Sequence, residues 1–248
     1  MRGLTDADRP TDSPDDAAGL LARLLDDRPL DRRTEATLLR RLAVTLSGSA
    51  RRAGAAAVAS GQWLAEVVAE TAPHIPIRDL AALTEHYDGK AGDELAAALV
   101  ENAARATGAV GAAAGVVASV EWTAPPALLA APVQIAAETL AVVAIEVKLV
   151  AELHAVYGRS AVGTRAVRMA AYLGAWTRRR ALDRLKPGEK VSGMITGAAR
   201  RELRRRVVGR AGSSSASVLP LLAGAVAGAS LNASQTRRLG RQITAGLR

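Results

Sequence analysis

The sequence predicts an all-α protein, a multi-helix bundle around Ala/Gly-rich central helices preceded by a disordered acidic N-terminal tail. Three observations carry this reading. Apolar residues are 49% of the chain, enough for a packed core, yet there is no Phe and aromatics total 2%. Ala, Leu, Val and Gly dominate instead, which suits helices in close contact better than a β-sandwich with its β-branched and aromatic faces. The apolar positions recur at helical spacing between Pro and Gly breaks, and no stretch alternates at period two.

Residues 1–15 are polar and rich in Asp and Pro, without apolar periodicity, and are expected to be disordered. A short helix is expected at 17–25, ended before Pro29. Asp31 or Thr34 can cap the next, in which Leu38, Leu39, Leu42, Val44 and Leu46 fall at helical spacing. Gly48 is expected to interrupt it, with a helix resuming over 50–71 and stopping at Pro73. A short helix follows from Asp79 and stops at Gly89. From Ala91 the pattern is helical into an Ala/Gly-rich run at 106–120. Pro125, Pro126 and Pro132 break the chain, and a long helix is expected over 133–157, closed by Gly158. Further helices are expected at 161–185, 191–209 and 219–247, with Ser213-Ser214-Ser215 as the linker before the last.

Spanning a bilayer takes ~20 largely apolar residues. The run at 106–120 is fifteen residues long, 122–145 contains three prolines and Glu138, and 212–235 is uncharged but rich in Ser, Gly and Ala. These features favour a buried helical hairpin over a membrane-spanning one, with insertion of 106–120, 122–145 and 216–233 left open. Gly111 with Gly115, and Gly224 with Gly228, place pairs of glycines on one helix face, where two backbones can approach closely. We expect 106–120 and 219–231 to pack through these faces at the centre of the fold.

Without cysteine the chain has no disulfide, thiolate metal site or thiol nucleophile. The first residues lack the apolar segment of a secretory signal, so a cell-interior location is expected. Charge is unevenly spread. Residues 1–156 hold 14 Lys/Arg against 21 Asp/Glu, a net of −7, whereas 157–248 hold 19 against 3, a net of +16. A basic rear half suggests an anionic partner.

No phosphate loop, dinucleotide fingerprint, nucleophile elbow or His-x-x-x-His zinc pair is present, so no metal, cofactor or catalytic residue is assigned. On the long central helix, Gln134, Glu138, Lys148 and Glu152 fall within about 80° of one another, while Glu146 and His154 point elsewhere. Gln134 and Glu138 are candidate buried polar residues, with Glu138 paired to an arginine beside a small polar cavity. Lys148 and Glu152 are expected to form an i,i+4 pair on a solvated face. Arg178, Arg179 and Arg180, and the strip containing Arg201, Arg204 and Arg205, are candidate contacts for anionic lipid. The strip would equally meet nucleic-acid phosphates, although no aromatics are interleaved for stacking. A solvated helix face remains the plain alternative.

Leu149-Val150-Ala151-Glu152-Leu153-His154-Ala155-Val156-Tyr157-Gly158 closes the long helix. The chain later runs Leu219-Pro220-Leu221-Leu222-Ala223-Gly224-Ala225-Val226-Ala227-Gly228-Ala229-Ser230-Leu231-Asn232, followed by Thr236-Arg237-Arg238-Leu239-Gly240. With these motifs, residues 91–247 resemble the EcsC protein family. The resemblance implies an α-helical fold and, in some members, a gene-neighbour link to an ABC transporter system; it brings no activity, cofactor or catalytic residue. It divides the chain into a tail (1–15), an N-terminal helical segment (16–90) without counterpart in the family, and an EcsC-like domain (91–248). That domain carries an Arg-rich insert at 159–212, where this chain departs from shorter members.

The expected function is that of a non-enzymatic, membrane-associated helical protein at the inner face of the membrane. Its basic C-terminal half would contact anionic lipid or a membrane-protein partner. The alternatives are a soluble scaffold binding nucleic acid through its Arg-rich helix and an enzyme using Glu138 as an acid–base group.

Overall fold

The structure, a computed structural model, describes residues 14–26, 30–121, 130–182 and 221–248. Residues 1–13, the Pro125-Pro126 break, the helix predicted at 191–209 and the serine linker lie outside them. Among the described residues there is no strand. The helices are α1 (Pro14–Leu24), α2 (Arg32–Ala53), α3 (Ala55–Ser60), α4 (Gln62–Thr71), α5 (Leu80–His86), α6 (Gly92–Glu121), α7 (Ala130–Val156), α8 (Arg165–Leu182) and α9 (Leu221–Leu247).

Local chemistry explains the boundaries. The Asp31 carboxylate accepts from the backbone N–H groups of Arg33 and Thr34 at 2.9 and 3.0 Å, so Asp31 is the cap of α2. Asp79 caps α5 by accepting from Ala82 N–H at 2.9 Å. Gly48 does not interrupt α2, contrary to the sequence reading. It is buried on the inward face, where an ordinary helical conformation suffices. The breaks come at Gly54 and Gly61, whose φ values of 85° and 75° no L-residue adopts readily. Gly158, at φ 64°, ends the turn after α7, with Arg159 N–H donating to the His154 carbonyl at 2.8 Å.

The middle of the bundle is α7. It touches α1, α2, α4, α5, α6, α8 and α9, and every residue from Ala136 to Leu153 is buried. An apolar helix enclosed on all sides needs no polar face. Buried residues of α1, α2 and α4 join those of α6 to α9 in one continuous core, from Ala17 to Leu247.

Helices α6 and α9 pack antiparallel along one side of α7. Asp93 meets Arg248 at one end and Gly111 meets Gly228 at the other. Small residues make this possible. A Cβ on Gly111 would stand 2.7 Å from the Gly228 carbonyl oxygen, one on Gly108 3.3 Å from that of Ala229, and one on Gly240 would strike Val100. Gly115 and Gly224 lie on the same two helices, but their surroundings fall outside the described side chains. The expected glycine contact is thus present at Gly111 and Gly228, flanking α7 rather than replacing it at the centre.

Gly111→Ala should force the α6 and α9 backbones apart and cost about 1–3 kcal/mol, lowering Tm by several degrees. Gly19, whose Cβ would meet nothing within 4 Å, is the control. Gly19→Ala should leave Tm unchanged or raise it, because it removes only chain entropy from the unfolded state. Thermal unfolding of the two variants checks the pair.

Candidate functional site

The polar residues of the core gather on α7. Glu146 has no exposed surface. Its Oε2 accepts from Trp176 Nε1 at 2.7 Å and its Oε1 from Thr236 Oγ1 at 3.0 Å. Arg180 Nη2 donates to the same Oε1 in a close ion pair. Thr107 Oγ1 donates in turn to Thr236 Oγ1 at 2.9 Å. One carboxylate therefore joins α7 to α8 through Trp176 and Arg180, to α9 through Thr236, and onward to α6 through Thr107. A buried carboxylate is tolerable only when so surrounded, because stripping its water without compensation is very costly.

Two more carboxylates lie on the same helix. Glu138, 5% exposed, accepts from Asn232 Nδ2 at 3.1 Å, and the same amide reaches the Thr107 carbonyl at 3.3 Å. Glu152 pairs with Lys148 at 2.7 Å and receives Arg78 N–H at 3.4 Å. Lys148 and Glu152 are 8% and 2% exposed, so the expected solvated face is corrected. Helix α7 has no outer face here, because α2, α5 and α6 cover it. Gln134 is half-buried, and its Nε2 is sealed from solvent with no acceptor in reach among the described residues.

The arginine triplet divides three ways. Arg178 is exposed, and Arg179 is half-buried with its guanidinium across Gly246 of α9. Arg180 is 4% exposed and held by Glu146, so it is no surface contact. A triplet of consecutive helical residues spans 200° of the wheel and cannot face one surface. Arg201, Arg204 and Arg205 lie outside the described residues.

Part of the charge asymmetry is matched within the fold. Arg237 donates to both Glu101 oxygens at 2.8 and 2.7 Å, and Arg248 pairs with Asp93 at 2.8 Å, so rear-half arginines meet front-half carboxylates. The hydrogen bond from Arg237 holds the Glu101 carboxyl below its ordinary value. Asp93 is likewise lowered, first by Tyr157, whose hydroxyl donates to it at 2.6 Å, and then by Arg248.

Among the described residues two outward stretches stay basic: α2, with Arg32, Arg33, Arg40, Arg41, Arg51 and Arg52 exposed, and, in the rear half, the α7–α8 loop with the outer face of α8. Residues 158–182 contain six arginines and no acidic residue. Arg159, Arg165, Arg168 and Arg178 are exposed. Between them Val162 is 90% and Val167 55% exposed. Val167, Ala171 and Arg178 share one stripe of the helix. Arg165 donates to the Ile75 carbonyl at 3.1 Å and Arg168 to that of Gly163 at 3.1 Å, which fixes the loop.

Glu146, Trp176, Thr236 and Thr107 escaped the sequence reading. The available signal was a carboxylate between Ile145 and Val147 in the most apolar helix, since acidic residues are seldom buried unless paired. Among the described residues no group of three His, Asp or Glu could hold a metal ion, and no helix is long and apolar enough to cross a membrane. Comparison with protein-family models, curated proteins and solved structures yields no match.

Arg180→Met should cost about 3–5 kcal/mol, because it leaves the Glu146 carboxylate buried without its cation. The double variant Glu146→Gln/Arg180→Met should cost less than the sum of the single ones, as denaturant titration of the full cycle would establish.

Glu101→Gln should lower Tm at neutral pH. A carboxyl held low in the folded state contributes stability in full above its ordinary value of 4.5 and loses it as pH falls through the lowered one. The Tm difference between variant and wild type should therefore close on acidification below pH 4.5.

Proposed function

We propose that this is a non-enzymatic, membrane-associated protein that docks on anionic lipid through the α7–α8 loop and the outer face of α8. The observation that carries the reading is Val162, 90% exposed in a loop bordered by Arg159, Arg165 and Arg168. Exposed apolar residues interleaved with arginines match the boundary between headgroups and acyl chains, where the cation meets phosphate and the valine leaves water. Nucleic acid would use the arginines and leave the valines without a role. The EcsC-like pattern of residues 149–158 and 219–240 also supports a place beside the membrane, by its link to a transporter system.

The magnitudes are modest. Four exposed arginines contribute about 1 kcal/mol each near an anionic surface, and two inserted valines about 1.5 kcal/mol each. The upper bound is about 7 kcal/mol, a Kd on the order of 10 μM. Attachment of this strength is reversible and depends on salt.

Co-sedimentation with vesicles tests the reading. The protein should pellet with phosphatidylcholine vesicles containing phosphatidylglycerol at low salt, remain in solution with phosphatidylcholine alone, and be released at high salt. Val162→Asp/Val167→Asp should weaken binding at least tenfold without altering Tm. Full recovery in the supernatant with anionic vesicles at low salt would overturn the proposal, as would binding to duplex DNA or RNA with none to vesicles.

A further inference from the structure

A partly open cleft of about 360 Å³ lies between α1, α2, α6 and α7, and no residue of α8 lines it. Its walls are apolar, with Leu24, Leu25, Leu30 and Leu99 facing Ile145 and Leu149. Polar groups line it at defined places. Lys148 and Glu152 neutralise each other at 2.7 Å and add no net charge. Asp26, exposed at the rim, is already engaged.

Two opposite charges are left. Glu35 reaches the cleft from the first turns of α2 and Arg105 from α6. Neither makes a hydrogen bond or a close ion pair with any described residue, and they do not pair with each other. Glu35 is half-buried. Burial, and after it the nearby Asp31 carboxylate, push its carboxyl above the ordinary value, and the neighbouring Arg32 offsets this only in part. Each has an opposite charge nearby on its own helix, Arg32 for Glu35 and Glu101 for the exposed Arg105, but neither is held in a close ion pair like those of Glu101, Asp93 and Glu146, so both remain available at one apolar cleft.

We infer that this cleft binds a small zwitterion with an apolar body, its ammonium group meeting Glu35, its anionic group meeting Arg105, and its apolar part lying on the leucines. A simple anion would leave Glu35 facing like charge, and a simple cation would do the same to Arg105. The volume lies at the lower end of the range for small-molecule sites. The same chemistry is found in a free amino acid with an apolar side chain and in the headgroup of an ethanolamine phospholipid. The inference does not depend on lipid docking at α8.

Thermal shift and titration calorimetry with the full chain test it, using free L-leucine and dihexanoyl phosphatidylethanolamine as probes. Leucinamide, which lacks the carboxylate, and N-acetyl-leucine, which lacks the ammonium, are the single-charge controls. At least one zwitterion should raise Tm at millimolar concentration, and which one does so identifies the source. Glu35→Gln and Arg105→Gln should each weaken its binding about tenfold to a hundredfold, as expected for a charge-assisted hydrogen bond. The α8 variant Val162→Asp/Val167→Asp should bind it unchanged. The inference is overturned if neither zwitterion binds, if a single-charge control binds as well as the zwitterion, or if binding survives both cleft substitutions.

Discussion

A carboxylate without exposed surface sits near the middle of the most apolar helix, and the arrangement of the helices around it follows from the need to surround it. Glu146 loses its hydration when α7 is enclosed, and each oxygen must recover that loss from protein donors. Trp176 and Arg180 can reach it only if α8 crosses at one height, and Thr236 only if α9 takes one register. Apolar packing is non-directional, whereas these contacts have one geometry, and they are met at the register in which α8 and α9 lie against α7.

The glycines act with this constraint. Gly111 and Gly228 bring α6 and α9 close enough for Thr107 to reach Thr236 and for Asn232 to bridge the Thr107 carbonyl and Glu138. The residues that close α7 and run along α9 are largely these joints. Glu152 lies in a buried pair, Tyr157 binds Asp93, Gly158 ends the turn after α7, and Asn232, Thr236, Arg237 and Gly240 each fasten α9.

Fold class and most helices were legible because they rest on local signals: apolar periodicity, a cap at Asp31 or Thr34, a helix start at Asp79, and Gly158 as a stop. The outcome at Gly48 was not, because whether a glycine breaks a helix depends on what packs against it. Polar partners were least legible. A helical wheel ranks residues by direction, assuming one side faces water, and so it set Glu146 aside and put Lys148 and Glu152 in solvent. Once α7 is enclosed, direction no longer separates wet from dry. The partners of Glu146 lie 30, 34 and 90 positions away, and no local pattern specifies such pairings. Net charge also hides pairing across the chain: the acidic front half supplies partners for Arg180, Arg237 and Arg248.

The antiparallel pairing of α6 with α9 bears on how the chain is made. Thr107 and Thr236 are separated by 129 positions, so during synthesis α6 and α7 leave the ribosome long before α9. Until then Thr236 and Asn232 are missing from the Glu146 and Glu138 carboxylates, and the small-residue face of α6 is uncovered. The closed arrangement of α6 and α7 with these partners cannot form before α9 has been made. Such long-range closure makes folding slow and leaves the newborn chain exposed to capture by chaperones or to aggregation.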